Sequence, residues 1–216
     1  LIHGRALGHP LIPADQRVCN DFDLLAPPQV VLITGSNMAG KSSFLRTVGL
    51  NLVLAYAGGV VCAEGLETRP LRLFSAIKIT DSVSDGISYF YAEVKRLKSL
   101  LDALQQPDDL PLFFFIDEIF RGTNNRERLI GSRAYIRALV AQNGAGLVST
   151  HDLELVHLAD ETPHIRNQHF RETVQDGRMV FDYTLRPGPC PTTNALRIMA
   201  LEGLPVDVVL EKNDDQ

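Results

Sequence analysis

One segment of the sequence constrains the fold more than any other. Residues 35–42 read Gly-Ser-Asn-Met-Ala-Gly-Lys-Ser and match the pattern G-x-x-x-x-G-K-[ST]. An apolar run, Gln29–Thr34, precedes this segment, and residues 41–57 follow it with apolar side chains at helical spacing. Strand, glycine loop and helix in this order are the context in which the pattern binds phosphate. The sequence therefore predicts a phosphate-binding loop in an α/β fold.

Each part of this loop has a chemical role to offer. Its glycines let backbone N–H groups surround a phosphate, and the helix N-terminus adds a favourable dipole. Lys41 is placed to reach the β- and γ-phosphates, and the Ser42 hydroxyl to ligate Mg²⁺. The alternative is a glycine-rich turn with an exposed lysine. The predicted nucleotide-binding residues of the loop are Gly35, Ser36, Asn37, Met38, Ala39, Gly40, Lys41, Ser42 and Ser43.

A second segment places two acids at the end of an apolar strand. Leu112–Ile116 is a continuous apolar run, typical of a central strand, and Asp117 and Glu118 follow it. We expect Asp117 to hold Mg²⁺ or its water, and Glu118 to orient the attacking water or accept its proton. Such a pair also ends many surface strands. The phosphate loop 76 residues earlier (117 − 41) favours the catalytic interpretation.

The order of the remaining segments predicts an α/β fold with a mainly parallel sheet flanked by helices. Further strands are predicted at Leu73–Thr80 and Ala145–Thr150, and further helices at 88–106, about 126–142 and 192–202. Residues 165–185 form two extended halves around Asp176-Gly177, a favoured hairpin turn. We interpret this run as a small antiparallel appendix.

Composition limits the classes of function. The 216 residues carry a net charge of −5 without a long run of like charge, which argues against autonomous DNA binding. Cys19, Cys62 and Cys190 are widely spaced without a CxxC motif, so we expect a reducing, cytoplasmic location and no metal ligation by cysteine. The most apolar stretch is too short to be a membrane segment. The N-terminus reads as a cut inside a longer protein, so we expect further N-terminal domains.

Three motifs together resemble the ATPase domain of the MutS DNA mismatch-repair family, within the ABC-type P-loop ATPases. They are Thr34–Ser43, Asp117-Glu118-Ile119-Phe120-Arg121-Gly122-Thr123 and Ser149-Thr150-His151. The Asn-Met pair in the loop and the Arg-Gly-Thr after the acids are more specific than generic nucleotide motifs. The resemblance extends over nearly the whole chain and implies one ATPase domain: a lead-in at 1–28, a nucleotide-binding core at 29–160, and the hairpin with C-terminal helices at 161–216.

The resemblance implies further site residues. Asn37 would face the γ-phosphate or bound nucleotide, and His151 would be a switch histidine near the γ-phosphate. Ser88, in a segment that is similar to the family signature, would act in trans on the γ-phosphate held by a partner subunit. Arg17 and Val18 would lie against the adenine. These roles are taken from the family motif and not from spacing alone.

The resemblance also implies ATP and Mg²⁺ as ligands and a homodimer that closes on ATP between its ATPase faces. DNA contact would belong to the missing N-terminal domains. An ABC-transporter subunit is a rival, although Leu-Ser-Gly-Gly-Gln is absent before the acid strand. A small-molecule kinase and a non-catalytic nucleotide switch are further alternatives. Glu118 argues against the switch, because binding alone does not require a carboxylate that activates water. Phe170-Arg171-Glu172 resembles a mismatch-reading wedge but falls inside the predicted hairpin, so we interpret it as a strand.

Overall fold

The computed structural model describes residues 1–36, 38–77, 89–106, 108–175, 178–191 and 205. Asn37, Ser88 and the predicted helix 192–202 lie outside these residues. The elements in chain order are β1 (Ile2–Leu7), β2 (Asn20–Leu24), β3 (Gln29–Thr34), α1 (Lys41–Tyr56), β4 (Gly65–Thr68), β5 (Arg72–Ala76), α2 (Tyr89–Gln105), β6 (Leu112–Asp117), α3 (Asn125–Ala141), β7 (Ala145–Ser149), a 3₁₀ turn (Leu153–His157), α4 (Leu158–Glu161), β8 (Ile165–His169), β9 (Glu172–Gln175), β10 (Arg178–Phe181) and β11 (Arg186–Pro187).

A six-stranded sheet in the order β11-β8-β3-β7-β6-β5 forms the centre. All of its neighbouring strands are parallel except β11, which runs antiparallel to β8. In this register Asp117 lies opposite Ser149, and Ser149 lies opposite Ile33. The carboxyl ends of β3, β7 and β6 therefore meet at one edge, the position at which parallel α/β sheets bind ligands.

Burial explains why the central strands are continuously apolar. Every residue of β6 and β7 is buried. Phe113 and Phe115 pack on the α1 side of the sheet with Leu45 and Val48, and the rings of the two phenylalanines meet edge to face. Phe114 lies on the opposite side with residues of α2 and α3. A strand covered on both faces needs an apolar residue at each position, so this part of the sequence-based prediction is confirmed.

Three strands of the N-terminal half form a second, antiparallel sheet in the order β2-β1-β4. Residues 1–28 were predicted only as a lead-in, and neither β1 and β2 within them nor β4 was predicted as a strand. Ile2 pairs with Leu24 on one side and Thr68 on the other. Ile2 and Phe22 are buried in the same core as α1, so the sheet covers that helix. No helix formed by the described residues is both long and apolar enough to span a bilayer.

The predicted antiparallel appendix is smaller than expected. Ile165–His169 is a parallel strand of the main sheet, bonded to β3, and only 172–175 and 178–181 pair as a hairpin. The first half of the run therefore belongs to the main sheet and not to the appendix. Phe170, between β8 and β9, is 1% exposed and packs edge to face on Phe44. The predicted strand 73–80 is observed as 72–76, and its continuation beyond 77 lies outside the described residues.

Close approach of β6 and β7 depends on Gly146. A Cβ at this position would lie 2.3 Å from the Phe114 carbonyl oxygen, and a backbone atom cannot yield without separating the strands. We expect Gly146→Ala to lower the free energy of unfolding by about 1–3 kcal/mol. Gly65→Ala is the control, because nothing lies within 4 Å of that Cβ, and it should change stability by less than about 0.5 kcal/mol. Urea denaturation of both variants measures this, and equal stabilities would contradict the packing argument.

Candidate functional site

The phosphate loop connects β3 to α1 through an unusual backbone. Gly35, Met38 and Gly40 have φ angles of 144°, 70° and 109°, and Gly40 is the N-cap of α1. A Cβ on Gly35 would lie 2.5 Å from the Phe170 carbonyl oxygen. Glycine is therefore required there both by the φ angle and by contact with the segment after β8.

Lys41, at the start of α1, is folded back onto this loop. Its Nζ donates hydrogen bonds to the carbonyl oxygens of Gly35 and Ser36, both at 2.7 Å, and the residue is 5% exposed. Burial lowers the pKa of the Lys41 ammonium, while the negative charges of Glu118 and Asp117 oppose that shift. The ammonium group of Lys41 is thus held at the loop. To contact a phosphate, it would have to give up its hydrogen bonds to the Gly35 and Ser36 carbonyl oxygens.

Asp117, the last residue of β6, receives two hydroxyl groups. Its Oδ1 accepts hydrogen bonds from Ser42 Oγ at 2.8 Å and from Ser149 Oγ at 2.6 Å. The residue is 7% exposed, and Arg121 Nη2 lies 3.3 Å from its Oδ2. Ser42 and Asp117 thus bring two hard oxygen donors together beside the loop, the ligand type that Mg²⁺ prefers with phosphate and water. The donor set fits a magnesium ion.

Glu118 follows at a strained turn, with φ at 63°. Arg121 Nε lies 2.9 Å from its Oε2, and His151 Nδ1 lies 3.2 Å from its Oε1. The hydrogen bond from His151 and the charges of Arg121 and Lys41 hold the pKa of Glu118 below its usual range, although burial acts the other way. The carboxylate is therefore ionised near neutral pH and able to accept a proton. Glu118 thus interacts with His151 and with the charge of Lys41, the two other residues assigned to catalysis, and their catalytic roles stay predictions.

Glu93 on α2 is a site residue that sequence reasoning missed. Its carboxylate accepts hydrogen bonds from the backbone N–H of Phe120 at 2.6 Å and of Arg121 at 3.1 Å, and it is 2% exposed. Burial raises the pKa of Glu93, and the two backbone bonds oppose this. Glu93 thereby fixes the turn immediately after Glu118. A signal was present, since Glu93 lies four residues before Leu97 on the buried face of the helix.

A cavity of about 650 Å³ opens beside the loop, against Lys41, Ser42, Ser43 and Glu118. Val18, a predicted base contact, lines this cavity, and so does Tyr183, which was not predicted. Tyr183 lies after β10, is 43% exposed, and stacks on Phe181 with ring centroids 6.0 Å apart. The segment after β10, 142 residues beyond Lys41 in sequence (183 − 41), thus contributes an aromatic ring to the same cavity.

Arg17 does not line the cavity, although the sequence predicted it as a base contact. Its Nε and Nη2 donate to the Ile12 carbonyl oxygen at 2.9 and 2.5 Å, and its Nη1 lies 2.8 Å from Cys62 Sγ. The guanidinium is therefore engaged on the other side of the lead-in segment. Among the other predicted residues of the loop, Ala39 is buried and Met38 is 82% exposed.

Ser36 has a partner that the sequence did not reveal. Its Oγ donates a hydrogen bond of 2.8 Å to Oε2 of Glu172, the first residue of β9. Glu172 is 5% exposed. A buried carboxylate thus contacts the phosphate loop directly.

Comparison with known proteins identifies relatives of the chain. Residues 31–215 match the protein-family model for MutS domain V. The chain is 34% identical over 209 residues to a DNA mismatch repair protein MutS of Chloroflexus aurantiacus, with 93% of this chain and 21% of that protein covered. It is 32% identical over 212 residues to a DNA mismatch repair protein MutS of Natronomonas pharaonis, with coverages of 96% and 24%. DNA mismatch repair protein MutS 2 of Haloarcula marismortui is 32% identical over 190 residues, with coverages of 87% and 20%. The chain spans between a fifth and a quarter of the length of these curated relatives.

The contribution of Glu93 can be measured as stability. Glu93→Ala removes the acceptor of two partly buried backbone N–H groups, so we expect the free energy of unfolding to fall by about 1–3 kcal/mol. Asp102→Ala on the same helix is the control, because Asp102 is an exposed partner of Lys98; its effect should stay below about 0.5 kcal/mol. Denaturant titration gives both values. Equal stability of wild type and Glu93→Ala would show that the two N–H groups do not depend on this carboxylate.

Proposed function

Because the chain belongs to the MutS domain V family, we propose that it binds Mg·ATP at the phosphate loop and hydrolyses it to ADP and phosphate, as an ABC-type P-loop ATPase. One observation carries the proposal: Ser42 and Asp117 are hydrogen-bonded to each other, and the ionised Glu118 lies beside them at the cavity. A binding-only site has no need for a second carboxylate at that place.

The loop and helix would bind the phosphates. Backbone N–H groups at the N-terminus of α1 carry partial positive charge, and the helix dipole favours an anion there. Lys41 adds a full charge after exchanging its bonds to Gly35 and Ser36 for phosphate oxygens. The sequence-based assignment of Asn37 to the γ-phosphate remains a proposal from the family motif.

Ser42 and Asp117 would hold the Mg²⁺ ion. When bound, the ion would neutralise charge on the phosphate oxygens and favour phosphoryl transfer. Ser149 has a supporting role, since its hydroxyl bonds to the same Asp117 oxygen and orients the carboxylate. Arg121, 3.3 Å from the other oxygen, holds it from the opposite side.

Glu118 would activate the water. The water oxygen attacks the γ-phosphorus, the bond from that phosphorus to the bridging oxygen breaks, and Glu118 accepts the proton of the water. His151 and Arg121 each hold one oxygen of this carboxylate. They orient it, and the lowered pKa of Glu118 means that it is in the ionised form, which can accept a proton, at neutral pH.

Val18 and Tyr183 would contact the base. Both side chains line the cavity, Tyr183 beside Gly40 of the loop, and an aromatic ring and an aliphatic side chain suit a flat heterocycle. This assignment replaces Arg17, whose guanidinium is engaged by Ile12 and Cys62.

We extend the proposal to a pair of subunits. The family motif assigns Ser88 to the γ-phosphate of a partner subunit, so that two chains close on ATP and open after hydrolysis. The coupled work would be DNA mismatch repair or a related DNA transaction, as in the proteins named above. Since this chain is acidic and spans only about a fifth of such proteins, DNA contact is assigned to the remaining parts. A cytoplasmic location stays a prediction.

Mutation of the proposed base tests the catalytic assignment. We expect Mg²⁺-dependent release of phosphate from ATP, and Glu118→Gln should reduce kcat at least about 100-fold because the proton acceptor is lost. Binding of ATP should persist, as judged by fluorescent-nucleotide titration. Glu154→Gln is the control, an acid with an exposed side chain paired to Arg133. Equal hydrolysis by Glu118→Gln and wild type would reject the role of Glu118.

Because Glu118→Gln should hydrolyse ATP slowly, this variant also tests whether two chains form a dimer around ATP. Glu118→Gln with Mg·ATP should show twice the monomer mass in light scattering, because ATP bound between two chains is not consumed. A strict monomer at high protein concentration would contradict the shared site. Mixing Lys41→Ala and Ser88→Ala chains should recover activity, because one of the two composite sites in the heterodimer is intact.

A further inference from the structure

An acid in contact with a phosphate-binding loop needs a physical explanation. Glu172 begins β9 and is 5% exposed, and its Oε2 accepts the hydroxyl of Ser36 at 2.8 Å. Ser36 directly follows the glycine at which the loop leaves β3. A carboxylate there brings negative charge to a loop whose proposed ligand is itself an anion.

The chain around Glu172 is held against the loop by other contacts. Two residues earlier, the N–H of Phe170 donates to the Thr34 carbonyl oxygen at 3.0 Å. The Phe170 carbonyl oxygen lies where a Gly35 side chain would be, and the Phe170 ring is buried on Phe44. The segment that contains Glu172 therefore contacts the loop on both sides of Gly35, through Thr34 and through Ser36. These contacts fix the position of the carboxylate.

The same short segment also holds the cation of the site. Lys41 Nζ donates to the carbonyl oxygen of Ser36 at 2.7 Å, while the Ser36 hydroxyl donates to Glu172. Lys41 and Glu172 are both about 5% exposed, so water screens their charges poorly. Burial lowers the pKa of Lys41, and the negative charge of Glu172, with those of Glu118 and Asp117, partly offsets that shift.

We propose that Glu172 is an affinity-setting residue whose charge competes with nucleotide phosphates for Lys41 and for the donors of the phosphate loop. The inference rests on the proposed function and deepens it. Glu172 makes phosphate binding weaker than the loop alone would give, and so favours nucleotide release. The cost to the ligand grows with its negative charge.

This mechanism makes the charge of the ligand the diagnostic variable. A repelling carboxylate disfavours ATP more than ADP, and ADP more than AMP, because each phosphate adds charge near the loop. A residue that merely shaped the cavity would change the affinities of all three by the same factor. The dependence on phosphate number therefore separates repulsion from a structural role.

Glu172→Gln is the decisive variant, since its amide oxygen still accepts the Ser36 hydroxyl while the charge is removed. Isothermal titration of the 216-residue chain with ATP, ADP and AMP in EDTA, where each nucleotide keeps its full phosphate charge and ATP is not hydrolysed, gives the dissociation constants, and a separate titration of wild type with Mg·ATP tests the proposed function. We expect ATP to bind about tenfold more tightly to Glu172→Gln than to wild type, with a smaller gain for ADP and the smallest for AMP. Ser36→Ala, which removes the hydrogen bond and keeps the charge, should not reproduce this gain.

Glu161→Gln is the matched control, because it also removes one negative charge but lies on α4 in an exposed pair with Arg137. Unchanged or weaker ATP binding by Glu172→Gln would overturn the inference, as would an equal gain for all three nucleotides. If wild type itself does not bind Mg·ATP, the proposed function fails first, so the two failures are distinguishable. Thermal unfolding checks the fold of each variant. If Glu172→Gln does not fold, the same comparison is made with Glu172→Ala, for which the increase in affinity should again be larger for ATP than for AMP.

Discussion

A single carboxylate oxygen joins the parts of the chain that form the site. Oδ1 of Asp117 accepts the hydroxyl of Ser42 at the start of α1 and the hydroxyl of Ser149 at the end of β7. The three residues come from separate elements and meet only because Asp117 and Ser149 are paired in the parallel register. A slip of one residue would turn the carboxylate to the other face of the sheet, so the chemistry of the site depends on the register.

Local sequence predicted the parts of the site that lie within one turn or one strand. The loop, the start of α1 and the acids after β6 follow from residues that are neighbours in the chain, where spacing carries the information. Glu93, Tyr183 and Glu172 reach the site across 27 to 163 residues. The neighbours of Tyr183 and Glu172 give no sign of it, and those of Glu93 indicate only that it lies on the buried face of α2. Sequence reasoning found the fold class for the same reason, since a covered parallel strand must be apolar throughout.

The missed sheet and the misplaced arginine have a physical explanation too. β1, β2 and β4 are short, and their burial comes from contact with α1 and not from a long apolar run. Asp21 and Asp23 alternate with buried Phe22 and Leu24, a half-buried pattern that is easily taken for a polar loop. The Arg17 guanidinium donates a hydrogen bond to the Ile12 carbonyl oxygen, and no motif predicts this contact. Membership of the MutS domain V family is the source of the proposed roles, and the geometry shows which of the assigned side chains line the cavity.

The position of β7 between β3 and β6 has a mechanical consequence. Because β7 separates the strand of the phosphate loop from the strand of the acids, these two strands are two inter-strand spacings apart, about 10 Å. β7 therefore acts as a spacer that sets the distance between the phosphate loop and the acids, and Gly146 lets its backbone lie close to β6. A substitution in this strand would change that distance without altering any residue of the loop or either acid, and in the proposed ATPase it would thereby change turnover.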